Sequence, residues 1–309
     1  MSSTSPSAIS TAANPYAAGC AWIEGDYVPI GDARIPILDT GFTRSDCTYD
    51  VVAVWAGRFF RLEDHLDRFE RSWRRGRFNP PLARTAMRDI LFECVRRAAL
   101  EHAYVEMIVS RGVAEGGERD PRRFRNRFYA LAIPYVWIAR PEAQTSGISL
   151  VVARTTTRID PGAVDPTMKN FHWGDLTQGL FEAYDRDASN VVLLNAAGEV
   201  TEGPGFNIFA VCDGTLCTPA AGVLEGITRQ TVIDLARRSN RPIEVTRFGA
   251  QRLHEADELF ITSTAGGVMP VTRLDGRAVG NGQPGPVTLA LRQAYWDAHS
   301  DPAWSTAVG

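Results

Sequence analysis

The chain has 309 residues, 44% of them hydrophobic, enough to bury a sizeable core in two domains or one large α/β unit. Its 33 basic residues are balanced by 36 acidic ones, a formal charge of -3, which argues against a nucleic-acid or anionic-membrane partner. Five cysteines (Cys20, Cys47, Cys94, Cys212, Cys217) form no CxxC or His/Cys cluster, so neither a disulfide framework nor a zinc site is expected, and a reducing cytoplasm fits best.

Residues 1–18 lack a basic start and an apolar run, and read as a flexible tail rather than a signal peptide. No window approaches a membrane span. From Ala21, "AWIEGDYVPIGDARIPILD" alternates apolar and polar residues around Gly-Asp turns, the pattern of short antiparallel strands. "VVAVWAGRFFRL" adds strand turning at Ala56-Gly57. Over 63–77 the spacing of Leu62, Leu66, Phe69 and Trp73 predicts a helix with one apolar stripe, and Arg68 lies beside that stripe. A second helix is predicted over 84–99, followed by strands "YVEMIVSRG" and "RFYALAIPYVWI". The basic stretch "RDPRRFRNR" between them reads as a solvated loop or face. "ARPEAQTSG" marks a linker, 139–147, between an N-terminal α+β domain, 19–138, and a larger C-terminal domain, 148–309. That second domain opens with strand "ISLVVARTTTRI" and continues through a helix over 174–186. Strands "NVVLLN", "EVTEG", "FNIFAVC" and "TLCTP" come next, then helix "ITRQTVIDLARRS" after Gly226 and strand "ELFITSTAGGVMPV" with a glycine turn.

Of the 33 basic residues, Lys169 in "MKNFHW" is the only lysine. A guanidinium stays protonated, whereas a primary amine can lose its proton when desolvated and attack a carbonyl. Codon bias toward arginine accounts for the count equally well, so other stretches must decide. A lysine carrying pyridoxal phosphate as a Schiff base needs an anion site and a carboxylate for the pyridine nitrogen. "LEGITRQTV" places the N–H groups of Ile227 and Thr228 at a helix start, where an anion is favoured. "STAGG" adds the Thr264 hydroxyl and the N–H groups of a turn, and Arg68 a charge-assisted bond. Glu202 in "TEGPGFNIF" is the candidate for the ring nitrogen. Taken singly, each has a plainer account: a helix start, a turn, an exposed arginine, a solvent-facing glutamate.

"KNFHWGD", "TEGPGFNIF", "LEGITRQTV", "HLDRF" and "TSTAGGVMP", in this order and spacing, resemble the fold type IV pyridoxal-phosphate aminotransferases, from about Ala21 to Trp296. That group includes branched-chain and D-amino-acid aminotransferases and aminodeoxychorismate lyase. "SDCTYDVVAVWAGRFFRLEDHLDRF" and "DPTMKNFHWGDL" are most similar to its (R)-selective amine:pyruvate transaminases. The resemblance implies a two-domain α+β and α/β fold with pyridoxal 5'-phosphate between the domains, and a homodimer. It implies Lys169 as the Schiff-base and proton-transfer residue and Glu202 as the ring-nitrogen partner. Arg68, Ile227, Thr228 and Thr264 would hold the phosphate. Tyr49, Val51, Trp173 and Ala265 would line the substrate pocket, with Arg119 on a mobile loop for the acceptor carboxylate. Arg44 and Tyr104 stand where many relatives have histidine and phenylalanine, which bears on the breadth of amines accepted. The implied reaction is ping-pong transfer of an amino group from a primary amine donor, (R)-configured, to pyruvate or a similar keto acid. A D-amino-acid or branched-chain aminotransferase, a lyase of the same scaffold, and a non-catalytic cofactor-binding protein are the alternatives.

Overall fold

A computed structural model of the protein describes residues 16–117 and 119–309. The tail expected at 1–18 therefore lies outside the described residues, except for 16–18, which form a turn. In chain order the first half contains β1 (Cys20–Ile23), β2 (Asp26–Pro29), α1 (Thr40–Arg44), β3 (Cys47–Trp55), β4 (Arg58–Phe60), α2 (Leu62–Arg75), α3 (Arg84–Ala98), β5 (Ala103–Ala114), β6 (Phe124–Pro134) and α4 (Pro141–Ser146). The second half contains β7 (Ile148–Thr157), α5 (Gly174–Asp185), β8 (Asn190–Leu194), β9 (Glu202–Gly203), β10 (Phe206–Cys212), β11 (Thr215–Pro219), α6 (Ile227–Arg238), β12 (Ile243–Thr246), α7 (Gln251–His254), β13 (Glu258–Ser263), β14 (Gly267–Leu274), β15 (Arg277–Ala278), α8 (Pro286–Asp297) and β16 (Ser305–Ala307).

Two sheets result. The first runs β16-β4-β3-β5-β6-β1-β2 and is antiparallel throughout. Its interior strand β3 is buried on both faces because the two faces have different partners. Val52 and Val54 join the core formed with Leu62, Leu66 and Phe69 of α2 and Met87 and Leu91 of α3. Tyr49 and Val51, on alternate positions, face the other way and line a cavity. The predicted apolar stripe of α2 is the one that seals this core.

The second sheet runs β12-β11-β10-β13-β14-β7-β8, with β9 added to β10 and β15 to β14. It is mixed, with β11–β12, β14–β7 and β7–β8 parallel. Phe209 and Phe260 on one face pack against Val232 and Ile233 of α6 and Leu291 and Tyr295 of α8. Ile208, Ile261 and Val271 on the other face form a separate core.

One expectation differs from this architecture, and two further stretches carry elements that were not expected. "GDARIPILD" does not continue as strand: after a 3-10 turn at Ile30–Asp32 the chain is irregular to Asp39. Pro36 cannot donate to a ladder, and Ile35, Ile37 and Leu38 are exposed, so nothing holds them in register. Residues 139–147, expected as a linker, contain the short helix α4, with Pro141 at a position where a missing N–H costs nothing. The C-terminal segment, which carries no strong period in sequence, forms α8 and then β16, and β16 pairs with β4 of the first sheet. Residues 305–307 thus extend the first sheet. Among the described residues no helix is long and apolar enough to cross a membrane.

Candidate active site

A cavity of about 240 Å³ is lined from both sheets. Tyr49 and Val51 of β3 and Tyr104 of β5 form one wall. Lys169 and Trp173 come from the segment before α5, Glu202 from β9, Ile227 and Thr228 from the start of α6, and Thr264 and Ala265 from the turn after β13.

Lys169 is held by its own backbone. Its carbonyl accepts the Thr48 hydroxyl at 2.7 Å and the Tyr49 N–H at 3.1 Å, which ties the lysine loop to β3. Asn170 turns the loop by donating to the Met168 carbonyl and accepting from the His172 N–H. The Tyr49 ring lies under the amine, with Nζ 4.2 Å from its centroid, and stacks on Phe171 at 4.1 Å. An ammonium over an aromatic face is attracted to it by roughly 1 kcal/mol. That attraction fixes where the amine points.

Glu202 is 6% exposed, not solvent-facing. One oxygen accepts Arg158 Nη2 at 3.0 Å and the other accepts the Leu224 N–H at 2.8 Å. Asp175 holds Arg158 from the far side at 2.6 Å. Burial pushes the Glu202 carboxyl up, while Arg158 and the Leu224 N–H oppose the rise. Glu202 pairs in register with Asn207, and Asn207 with Thr262, so the three stand in one row across β9, β10 and β13.

The start of α6 lies against Asn207 of this row. Gly226 caps the helix without a side-chain acceptor, and Ile227 and Thr228, 8% and 4% exposed, line the cavity with first-turn N–H groups that have no partner within the helix. A Cβ on Gly226 would come within 2.2 Å of Asn207 Oδ1, which is why the helix starts on glycine. The Thr264 turn is clamped by Tyr135, whose hydroxyl donates to the Thr264 carbonyl at 2.6 Å and accepts the Gly266 N–H at 2.9 Å. Gly267 has φ +71°, and a side chain there would strike the Tyr295 ring.

Arg68, 4% exposed, is no ordinary helix arginine. Asp50 grips it at both oxygens, 2.7 and 2.8 Å, and a third bond runs to the Glu225 carbonyl just before α6. His65 Nδ1 is 2.8 Å from the same carboxylate. Burial alone would raise the Asp50 carboxyl, but Arg68 and His65 hold it well below the ordinary range.

Two candidates stand elsewhere. Arg44 ends α1 and Arg119 lies in the connection between β5 and β6; both are exposed, and neither lines the cavity. Arg119 is carried out at the tip of a long hairpin, and α1 starts on an Asp39 cap that directs it along the surface. Conversely, sequence reasoning missed Asp50, Arg158, Tyr135 and Glu106. A charge inside the apolar run "TYDVVAV" is a usable signal for Asp50. Glu106 pairs with Val51 across β3 and β5, and burial pushes its carboxyl up to about 7, with Lys169 opposing and Asp50 adding to the shift.

The uncapped helix start, the amine and the buried carboxylate suit a ligand with an anionic end and a ring base. Among the described residues no His, Cys, Asp or Glu cluster suits a metal ion. The sequence pattern of the class IV amino-transferases matches residues 48–274. The branched-chain-amino-acid aminotransferase of Pseudomonas aeruginosa is 30% identical over 306 residues, covering 94% of this chain and 97% of its own length. The D-alanine aminotransferase of Listeria monocytogenes is 29% identical over 277 residues, covering 85% and 90%. Among solved structures, a branched-chain amino acid aminotransferase with pyridoxamine 5'-phosphate is similar with a TM-score of 0.87 and 27% identity, over 94% of this chain and 99% of that one. The Escherichia coli branched-chain amino acid aminotransferase is similar with a TM-score of 0.86 and 25% identity, over the same shares. A pattern spanning most of the chain, on a fold and cavity that agree with it, makes this chain a member of the class IV aminotransferase family.

Proposed function

We propose that this aminotransferase moves an amino group from a primary (R)-amine to pyruvate or a similar keto acid, in the two alternating half-reactions of a ping-pong cycle. The observation that carries this is one cavity that holds Lys169, the Glu202–Arg158 pair and the uncapped start of α6 together. The cofactor of class IV aminotransferases is pyridoxal 5'-phosphate, which when bound supplies an electron sink for the substrate's α-carbon. Lys169 anchors it through the amine, Glu202 holds a proton at its ring nitrogen, and Ile227, Thr228, Thr264 and Arg68 take its phosphate. Lys169 Nζ, the only lysine amine in the chain, would be freed when the substrate's amine takes its place, and would then carry the proton from the substrate carbon to the cofactor. Arg158 opposes the rise that burial imposes on the Glu202 carboxyl and so favours the charged form that holds a proton on its neighbour.

The choice of an amine as donor rests on charge. Arg68, assigned to the phosphate, and Arg158, paired with Glu202 and Asp175, are the only arginines among the lining residues, so neither is left for a donor carboxylate. Tyr49, Val51, Tyr104 and Trp173 leave mainly apolar walls for an aromatic or aliphatic amine. The acceptor carboxylate then falls to Arg119. A homodimer is part of this proposal: Ile35, Ile37, Leu38 and Phe42 are exposed beside an apolar cavity of about 460 Å³ that reaches Phe171, next to the lysine. Arg44 borders that surface and would enter the site from there.

The test is a visible spectrum of the protein with pyridoxal phosphate, before and after (R)-1-phenylethylamine, its (S) enantiomer, D-alanine or L-leucine. Bleaching of the cofactor band by the (R)-amine, and restoration by pyruvate, is the expected result. Bleaching by D-alanine or L-leucine alone would move the function to an amino-acid aminotransferase, the activity for which the similar proteins are named. A band that no amine bleaches would leave a binding protein without turnover.

A further inference from the structure

Thr262, on β13, is 2% exposed and lines the cavity, yet its hydroxyl has no hydrogen-bond partner among the described residues. Buried hydroxyls are nearly always paired, and leaving one unpaired costs about 1–3 kcal/mol. Its place is specific. In register it stands beside Asn207, whose amide donates to the Leu224 carbonyl and whose oxygen abuts Gly226 at the start of α6. Thr264, in the turn two residues along, lines the same cavity. The neighbouring hydroxyls have found partners: Thr218 donates to the Ile208 carbonyl and Ser263 to the Gly205 carbonyl. Thr262 alone of these is left over, in the cavity that the start of α6 also lines.

We propose that Thr262 is a further phosphate-binding residue, its hydroxyl donating to the anion held at the start of α6. This rests on the cofactor reading above. The side chain adds a neutral donor to a set that otherwise consists of backbone N–H groups, Thr264 and one arginine already gripped by Asp50. With the anion bound, the unpaired hydroxyl gains its partner. Binding therefore removes a cost that the chain otherwise carries.

The experiment titrates the full chain, stripped of cofactor, with pyridoxal 5'-phosphate and separately with pyridoxal, for wild type, Thr262→Val and Thr262→Ser. Valine keeps the shape and removes the donor. Thr262→Val is expected to weaken pyridoxal 5'-phosphate by roughly ten-fold or more, the worth of a hydrogen bond to a charged group, and to change pyridoxal by less than about two-fold. Thr262→Ser should recover most of the affinity. Without cofactor, Thr262→Val should melt no lower than wild type, because it deletes an unpaired buried hydroxyl. Equal affinity of wild type and Thr262→Val for pyridoxal 5'-phosphate would overturn the inference, as would an equal loss for pyridoxal. A wild type that binds neither compound would instead remove the cofactor reading, and this inference with it.

Discussion

Lys169→Arg keeps the charge beside Tyr49 but removes the amine, so it separates an electrostatic lysine from a reactive one. The expected result is loss of the visible cofactor band and a fall in turnover of roughly a thousand-fold or more. A variant that keeps its band would strip Lys169 of its role. Glu202→Gln retains a hydrogen-bond partner for Leu224 but cannot hold the ring proton, and Arg158 keeps only Asp175 as counter-charge. Cofactor should still bind, while single-turnover rates fall about a hundred-fold; an unchanged rate would dissociate Glu202 from the chemistry. Asp50→Asn leaves Arg68 buried without its paired charge, a change that costs about 3–5 kcal/mol. The melting temperature should drop and phosphate affinity with it. At this scale Lys169 is legible because it is singular, and Glu202, Thr228 and Thr264 because each sits in a short ordered motif. Asp50 and Arg158 are not, since their roles come from partners 18 and 44 residues away.

Elements place these groups where no side chain could do so alone. The Lys169 loop is tied to β3 by two bonds on one carbonyl, so the strand that presents Tyr49 also sets the position of the amine. Helix α6 begins on Gly226 because Asn207 occupies the space a side chain would need. Gly226→Ala, with φ -62° acceptable to any residue, must therefore push the helix start away from β10. The change should cost about 1–3 kcal/mol and weaken pyridoxal phosphate binding. Unaltered melting and affinity would show that the helix start tolerates displacement. The periodic elements, α2, α3, α5 and β3, are readable from spacing. The segment after Pro29 is not, because exposed Ile35, Ile37 and Leu38 mimic the alternation of a strand without a neighbour to pair with.

Across the molecule, α8 and β16 join the two sheets through an aromatic cluster. His299 is 4% exposed, stacked on Phe60 of β4 at 3.8 Å, and donates from Nδ1 to the Tyr295 carbonyl. Burial pulls its pKa down to about 4, below the ordinary 6.5. A histidine whose folded value is depressed binds its proton more readily when unfolded, so stability is full above about 6.5 and is lost as pH falls toward 4. The chain should lose of order 2–3 kcal/mol over that window, seen as a falling denaturation midpoint. His299→Phe should flatten that part of the profile; an identical slope in the variant would place the acid sensitivity elsewhere. From sequence alone came the family, the mixed fold and the order of the candidate site motifs, since local periodicity and short motifs are written in neighbouring residues. Only the tertiary structure decided that Arg68 is spent on Asp50, that Arg158 steadies Glu202, that Arg44 and Arg119 stand outside the cavity of one chain, and that Thr262 is left unpaired within it. Those outcomes depend on which strands pair and in what register, and a one-residue change of register would turn each of the strand-borne side chains among them to the opposite face.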